Sequence, residues 1–239
     1  MGEIAFGTYV KRKGTGLGGT SGGARPKILT EIDGEDWIIK FPTYVDGRDA
    51  GMIEYQYLIC AGKCGINMPQ TRLFHSDKRQ GYFGVKRFDR KKENNETKKI
   101  HMLTAAALLE IDFNQPCMDY NDLMKLTKIL TNNNWDDIDN MYRRMCFNAY
   151  AHNRDDHAKN FTYIYDEENE TWRLSPAYDL TYSNTYYGEH TTTVAGNGRN
   201  PGIKELTEVG VNAGLKKQYC EEVAGEIRGL VEDMLNNYI

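Results

Sequence analysis

Two short stretches of the chain carry side chains suited to metal-assisted phosphoryl transfer. Residues 151–161 read AHNRDDHAKNF, and residues 175–180 read SPAYDL. In such a reaction one carboxylate accepts or orients the proton of the attacking hydroxyl, while an amide oxygen and a second carboxylate hold Mg²⁺ against the phosphates. The spacing assigns these roles to Asp155 as the base and to Asn160 and Asp179 as the metal ligands.

A glycine-rich segment near the N-terminus is a candidate phosphate-binding loop. Residues 14–23 contain six glycines, whose backbone N–H groups can approach a phosphate closely. Gly22, Gly23 and Lys27 are the candidate contacts, with Lys27 adding a positive charge. The segment lacks the Gly-Lys-Ser/Thr of a P-loop, and a flexible linker is the plain alternative. Because it directly precedes a predicted hairpin, we interpret it as a flap over a nucleotide.

A lysine and a glutamate downstream complete a possible phosphate site. Residues 27–42 predict a hairpin that turns at Asp33-Gly34, and Lys40 on its second strand is a candidate to bind the α- and β-phosphates. Residues 50–64 keep helical spacing before Gly65, and Glu54 on that helix could form an ion pair with Lys40. The alternatives are a surface lysine and an acid favoured near a helix start.

Further elements must position these groups. We expect short strands at 70–74 and 81–88, followed by a solvated mobile loop without secondary structure at 91–99. From residue 101 onward the pattern is helical, with helices over 119–131 and 135–151. A hairpin over 161–165 and 171–174 and a C-terminal helix over 215–238 complete the predicted elements. The second hairpin returns the chain, which should bring Asp179 beside Asn160.

Composition limits the class of protein. The 239 residues include 30 basic and 34 acidic side chains, a net charge of −4 that argues against direct binding of nucleic acid. The five cysteines are scattered, and we expect reduced thiols. No apolar run approaches the roughly 20 residues that span a bilayer, and the first residues do not resemble a signal peptide. These features favour a cytoplasmic protein without a membrane partner.

The motifs together resemble the HipA family, bacterial serine/threonine kinases that act as toxins in toxin–antitoxin pairs. Five ordered strings carry the resemblance: GGARPK, WIIKFP, VKRFDR, NRDDHAKNF and LSPAYDL, spread over roughly residues 18 to 190. The resemblance implies an α+β, bilobal, protein-kinase-like fold, with a small β-rich N-lobe over residues 1–90 and a larger, mainly helical C-lobe over residues 91–239. It also implies that the protein binds ATP and Mg²⁺.

The resemblance also implies residue roles. Asp155 would be the catalytic base, and Asn160 and Asp179 would bind the metal. The nucleotide would be bound by Gly22, Gly23, Lys27, Lys40, Lys86, Phe88, His157, Asn160 and Asp179, with Arg87 and Phe88 at the lobe hinge. By analogy with relatives, Thr20 or Ser21 in the flap is the candidate autophosphorylation site, where a phosphate would repel those of ATP.

The family also suggests partners. Members begin with a small extra N-terminal subdomain, and nothing before residue 13 matches it. This departure suggests a truncated chain, a degenerate gene, or a system that encodes that subdomain separately. Relatives modify aminoacyl-tRNA synthetases, so a protein of that class is one candidate substrate, and an antitoxin is a candidate partner.

Three functions compete on this sequence. We favour an active Mg-ATP protein kinase, with a small-molecule phosphotransferase as its variant. A non-catalytic module that binds partners is the second possibility, although intact Asp155, Asn160, Asp179 and Lys40 argue against it. The third is a metal-dependent hydrolase that uses a cluster of residues 155–157, but adjacent side chains seldom point at one metal.

Overall fold

The fold is described from a computed structural model of the chain, over residues 25–43, 46–77, 79–94, 96–111, 118–184 and 188–239. The candidate flap residues Thr20, Ser21, Gly22 and Gly23 lie outside this part of the chain. The helices are α1 Ala50–Lys63, α2 Ala105–Leu108, α3 Tyr120–Leu130, α4 Trp135–Tyr150, α5 Ile203–Asn212 and α6 Lys217–Leu235. The strands are β1 Lys27–Ile32, β2 Glu35–Lys40, β3 Thr71–Phe74, β4 Tyr82–Lys86, β5 Arg90–Glu93, β6 Glu96–Lys99, β7 Met102–Thr104, β8 Met118–Asp119, β9 Thr162–Asp166, β10 Thr171–Leu174 and β11 Thr192–Thr193.

The chain divides into two compact units. Of the described residues, the first contains those from 25 to 56 together with those from 69 to 99, and the second contains those from 57 to 68 together with those from 100 to 239. The first is β-rich and the second is mainly helical, as predicted. Residues 57–68 belong to the second unit and residues 91–99 to the first, whereas the sequence prediction divided the chain once, after residue 90.

The first unit is built on a four-stranded antiparallel sheet in the order β1-β2-β4-β3. The predicted β1–β2 hairpin turns at Asp33 and Gly34, which both have positive φ, as a tight two-residue hairpin turn requires. Trp37, Ile39 and Phe83 form part of its buried core. The sheet therefore fixes the position of Lys40 at the end of β2.

The predicted loop at 91–99 is wrong. Strands β5 and β6 pair there in antiparallel fashion, although their side chains are almost all exposed. Lys92 extends from this hairpin to Glu31 on β1, with 3.1 Å between the charged atoms. Backbone pairing needs no apolar periodicity, so the pattern of the side chains could not reveal these strands.

The second unit is organised around α4, whose inner face is completely buried. Met141, Met145 and Cys146 have no exposed surface, so their side chains form part of the core. Helix α3 begins at Tyr120, and the preceding Asp119 caps it through a capping box with Asp122. The expectation of a helical pattern from residue 101 is wrong in detail, since β7 and the one-turn α2 precede α3.

Two small sheets and one more long helix complete the second unit. One sheet has the order β10-β9-β7, which confirms the predicted β9–β10 hairpin, and in the other β8 and β11 pair in parallel. Helix α6 buries Val223, Ile227 and Val231 on one face. Within the described residues, no helix is long and apolar enough to cross a membrane.

Candidate active site

The loop between α4 and β9 separates its two adjacent aspartates. The side chain of Asp155 is 56% exposed, whereas that of Asp156 is completely buried. The backbone then makes a single 3₁₀ turn over Ala158–Asn160 before β9 begins. Only Asp155 is therefore accessible to a substrate from solvent.

The carboxylate of Asp156 is occupied by contacts within the second unit. Its Oδ1 accepts hydrogen bonds from the backbone N–H groups of Thr191 and Thr192, at 2.9 and 3.1 Å. Its Oδ2 accepts from the Tyr120 hydroxyl at 3.0 Å and lies 3.0 Å from Nδ1 of His190. Because both oxygens have buried partners, Asp156 joins the loop to two distant segments of the chain and has no capacity for a metal.

A chain of amide groups extends this network along the loop. Asn148 on α4 donates to the Tyr120 hydroxyl at 2.8 Å, and Asn153 donates to Asn148 at 2.9 Å. All three side chains are buried, so the network is well protected from water. Sequence reasoning missed it, because its members lie far apart in the chain and no local pattern unites them.

The side-chain amide of Asn160 is hydrogen-bonded to the backbone of the same loop. Its Nδ2 donates to the backbone carbonyl of Asp155 at 2.8 Å, and this bond fixes the orientation of the amide group. The oxygen Oδ1 is thereby turned toward the other side, where it could serve as a metal ligand. This hydrogen bond links Asn160, a candidate metal ligand, to the backbone of Asp155, the candidate base.

The β9–β10 hairpin returns the chain to this loop. The Tyr178 hydroxyl donates to the backbone carbonyl of Lys159 at 2.6 Å. This bond links the residue before Asp179 to the residue before Asn160. Asp179 itself has a φ of +54°, a strained value for a residue other than glycine. Such strain is common at functional sites, where surrounding contacts hold an unfavourable conformation.

The pKa of Asp155 is raised above its ordinary value. Partial desolvation of the carboxyl group is the largest cause, and the negative charges of Asp179 and Asp156 add to it, while His157 acts in the opposite direction. Nε2 of His157 lies 3.8 Å from Oδ1 of Asp155. The negative charge of Asp179 near Asp155 would favour a bound cation at this site.

A buried arginine holds the segment that leads to Asp179. Arg144 on α4 is completely buried and donates to the carbonyl of Ser175 and, through Nε, to Asn140 at 3.1 Å. Burial lowers the pKa of its guanidinium to about 10, so the group remains charged at neutral pH. The backbone N–H of Ala177 donates to the carbonyl of Asn67 at 2.8 Å, which adds a second attachment.

The first unit contains the predicted ion pair. Nζ of Lys40 lies 2.6 Å from Oε1 of Glu54, whose side chain is only 2% exposed. Arg25 contacts the other oxygen of Glu54 at 3.2 Å and also binds Asp46 at 3.1 Å. Glu54 therefore holds two cations, of which sequence reasoning identified only Lys40.

The other predicted nucleotide contacts lie in different surroundings. Lys27 is opposite Lys40 in the β1–β2 register, while Lys86 on β4 makes an ion pair of 2.8 Å with Glu35. Phe88 lies between β4 and β5. Phe88 and the adjacent Arg87 belong to the first unit, which the chain leaves after Lys99.

The oxygen ligands available in the second unit suit Mg²⁺. Asn160 and Asp179 supply an amide oxygen and a carboxylate, which is the usual protein contribution where phosphates and waters complete the octahedron. No group of three or more His, Cys, Asp or Glu side chains that could hold a metal is present in the part of the chain described here. The amide and the carboxylate would supply two ligands of such an ion and leave its other coordination positions to waters and phosphate oxygens.

Comparison with known proteins gives a consistent family. The sequence model of the family "HipA-like C-terminal domain" matches residues 19–235 of this chain. A curated relative, the "Putative kinase Y4dM" of Sinorhizobium fredii, is 27% identical over 183 residues, which are 70% of this chain and 42% of that protein. The chain therefore spans less than half of the length of this relative.

Two solved structures share the fold. HipA of Shewanella oneidensis MR-1, solved with HipB and operator DNA, superposes with a TM-score of 0.72 at 17% identity, over 91% of this chain and 57% of that one. The Helicobacter pylori proinflammatory kinase CtkA superposes with a TM-score of 0.58 at 12% identity, over 92% of this chain and 89% of that one. At these identities the likeness shows the fold alone.

Proposed function

Because this chain belongs to the family of HipA-like C-terminal domains, we propose that it is a Mg-ATP-dependent serine/threonine protein kinase. It would transfer the γ-phosphate of ATP to a hydroxyl group of a protein. The single observation that best supports this proposal is the ion pair between Lys40 and the buried Glu54, with 2.6 Å between the charged atoms. Kinases need such a pair, because the glutamate holds the lysine in place to bind the α- and β-phosphates.

Each candidate residue has a role in the proposed reaction. Asp155 accepts the proton of the attacking hydroxyl, a role that its exposed carboxylate can fill. Asn160 and Asp179 would hold Mg²⁺, which supplies positive charge to neutralise the phosphate oxygens when it is bound. The hydrogen bond from Asn160 to the carbonyl of Asp155 supports both roles, since it fixes ligand and base relative to each other.

Substrate and partners are proposed from the family. An aminoacyl-tRNA synthetase is one candidate protein substrate. We propose Thr20 or Ser21 as the site of autophosphorylation. The Shewanella HipA structure contains HipB, so an antitoxin of that kind is a candidate partner for this chain. This chain covers 57% of the length of that HipA chain.

Labelled ATP tests this proposal. The protein is incubated with γ-labelled ATP, Mg²⁺ and host lysate, and labelled species are identified by mass spectrometry. We expect label on a serine or threonine of a protein, lost when Mg²⁺ is chelated and in Asp155→Asn. Label that appears only on small molecules would replace the proposal with a small-molecule phosphotransferase. No transfer, combined with no change in melting temperature at millimolar Mg-ATP, would refute a nucleotide-dependent function.

A further inference from the structure

A surface groove in the second unit lies between the C-terminal half of α3 and the end of α5. We call it the α3–α5 groove, and it has a volume of about 410 Å³. Its main lining residues are Met124, Lys125, Lys128, Ile129, Asn133 and Asn212. None of them belongs to the candidate active site, and the proposed kinase reaction gives the groove no role.

The groove combines an apolar floor with an exposed apolar rim. Met124 is 1% exposed and Ala213 is 8% exposed, so both form the floor, whereas Ile129 is 64% exposed at the rim. A single exposed isoleucine is ordinary on a protein surface. Beside a buried methionine in a concave site, however, it forms a place where one large apolar side chain of a ligand can be buried.

The groove is positively charged although the chain as a whole is acidic. The net charge of the protein is −4, but the lining residues include two lysines and no acid. Lys128 donates to the carbonyl of Ala213 at 2.7 Å, which keeps its charge at the groove wall. The nearest acid on the same helix, Asp122, accepts from the backbone N–H of Asp119 at the helix start instead. The groove is therefore complementary to negative charge.

Asparagines at both ends of the groove can bind a peptide backbone. Asn132 and Asn133 have φ values of +51° and +58°, two consecutive left-handed residues that end α3. The N–H of Asn133 donates to the carbonyl of Lys128 at 2.8 Å and fixes this turn. On the opposite wall, Asn212 donates to Asn121 at 3.0 Å. Amide groups present both donors and acceptors, as an extended peptide requires.

We propose that the α3–α5 groove docks an acidic, extended peptide segment of a partner protein. One large apolar side chain of that segment packs on Met124 beside Ile129, and its carboxylates pair with Lys125 and Lys128. Charge complementarity favours an acidic peptide, and the apolar floor distinguishes it from a simple anion. The proposal does not depend on kinase activity, since docking requires none of the residues proposed for phosphoryl transfer.

The test uses a displayed library of random twelve-residue peptides, selected against the immobilised full chain. Peptides that also bind the double variant Lys125→Glu, Ile129→Asp are removed. We expect the remaining peptides to be enriched in Asp and Glu around one Leu, Ile, Phe or Trp. A labelled synthetic peptide of that consensus should bind at least about tenfold more weakly to either single variant, a loss of about 1.4 kcal/mol.

Lys204→Glu is the matched control. It makes the same charge change at an exposed lysine of α5, eight residues before Asn212 and so about 12 Å away along the helix axis at ~1.5 Å per residue. We expect unchanged binding in this control and in Asp155→Asn, which separates docking from catalysis. Unchanged melting temperatures of the groove variants would show that they fold. An enriched set without acidic residues, or equal weakening by Lys204→Glu, would overturn the proposal.

Discussion

Replacing Asp156 by alanine should destabilise the second unit strongly. The change leaves three donors around this buried carboxylate without their acceptor, namely the N–H groups of Thr191 and Thr192 and the Tyr120 hydroxyl. An unsatisfied buried donor costs about 1–3 kcal/mol, and partial relaxation places the sum at about 3–5 kcal/mol. For a chain of this length each kcal/mol lowers the melting temperature by roughly 2–4 °C, so we expect a decrease of about 6–20 °C.

Asp155→Ala should behave in the opposite way. The side chain is exposed, so its truncation should change the free energy of unfolding by no more than about 0.5 kcal/mol through lost contacts. The raised pKa of Asp155 also predicts the sign of the change in stability. A carboxyl whose pKa is higher in the folded than in the unfolded state makes the folded protein less stable once it ionises, above its unfolded pKa. At neutral pH the variant should therefore be at least as stable as the parent, although phosphoryl transfer falls about 10²–10⁴-fold.

Thermal unfolding and labelled-phosphate transfer, measured side by side on the two variants, provide the assay. We expect opposite results from the two variants: a stable, inactive Asp155→Ala and a destabilised Asp156→Ala. The melting temperature at several pH values gives a further check, because any stability gained by Asp155→Ala should disappear as the pH falls below the unfolded pKa of the carboxyl. A fully stable Asp156→Ala together with an active Asp155→Ala would show that the two aspartates have been assigned the wrong roles.

Three further predictions concern ligand binding, pH dependence and the flap. Glu54→Gln should reduce the rise in melting temperature that Mg-ATP produces, because Lys40 loses its anionic partner; Glu31→Gln, which removes an exposed partner of Lys92, should not. The rate of phosphoryl transfer at saturating ATP should fall as the pH decreases through the raised pKa of Asp155. Since His157 lowers that pKa, His157→Gln should move the acid limb of the profile to higher pH, and an unmoved limb would exclude Asp155 as the titrating base. Intact mass after incubation with Mg-ATP should show one added phosphate on residues 20–21, absent in Asp155→Asn.

The sequence predicted those elements whose side chains show a clear period. The β1–β2 hairpin, α1, α3, α4 and the β9–β10 hairpin agree with the structure to within one or two residues at most ends. In each case an apolar face or a turn signal such as Asp33-Gly34 is encoded locally. The ion pair of Lys40 and Glu54 was predicted on functional grounds, because a lysine that binds phosphates needs an acid to hold it in place.

Elements stabilised mainly by backbone hydrogen bonds were not predictable in this way. The β5–β6 hairpin carries charged, exposed side chains on nearly every position, so its sequence is typical of a solvated loop. Arg25 illustrates a related limit. Its contacts with Asp46 and Glu54 bring together residues 21 and 29 positions apart, and no local pattern indicates which acids an arginine will contact.

The choice between Asp155 and Asp156 shows how distant residues decide a local question. Spacing to Asn160 favoured Asp155 as the base, yet two adjacent acids have the same chemistry in isolation. The structure separates them through partners that are 34 to 36 residues away in sequence, namely Tyr120, His190, Thr191 and Thr192. These partners occupy Asp156 inside the second unit and leave its neighbour at the surface. The same contacts anchor the loop, so the burial of one aspartate determines the position from which the other can act.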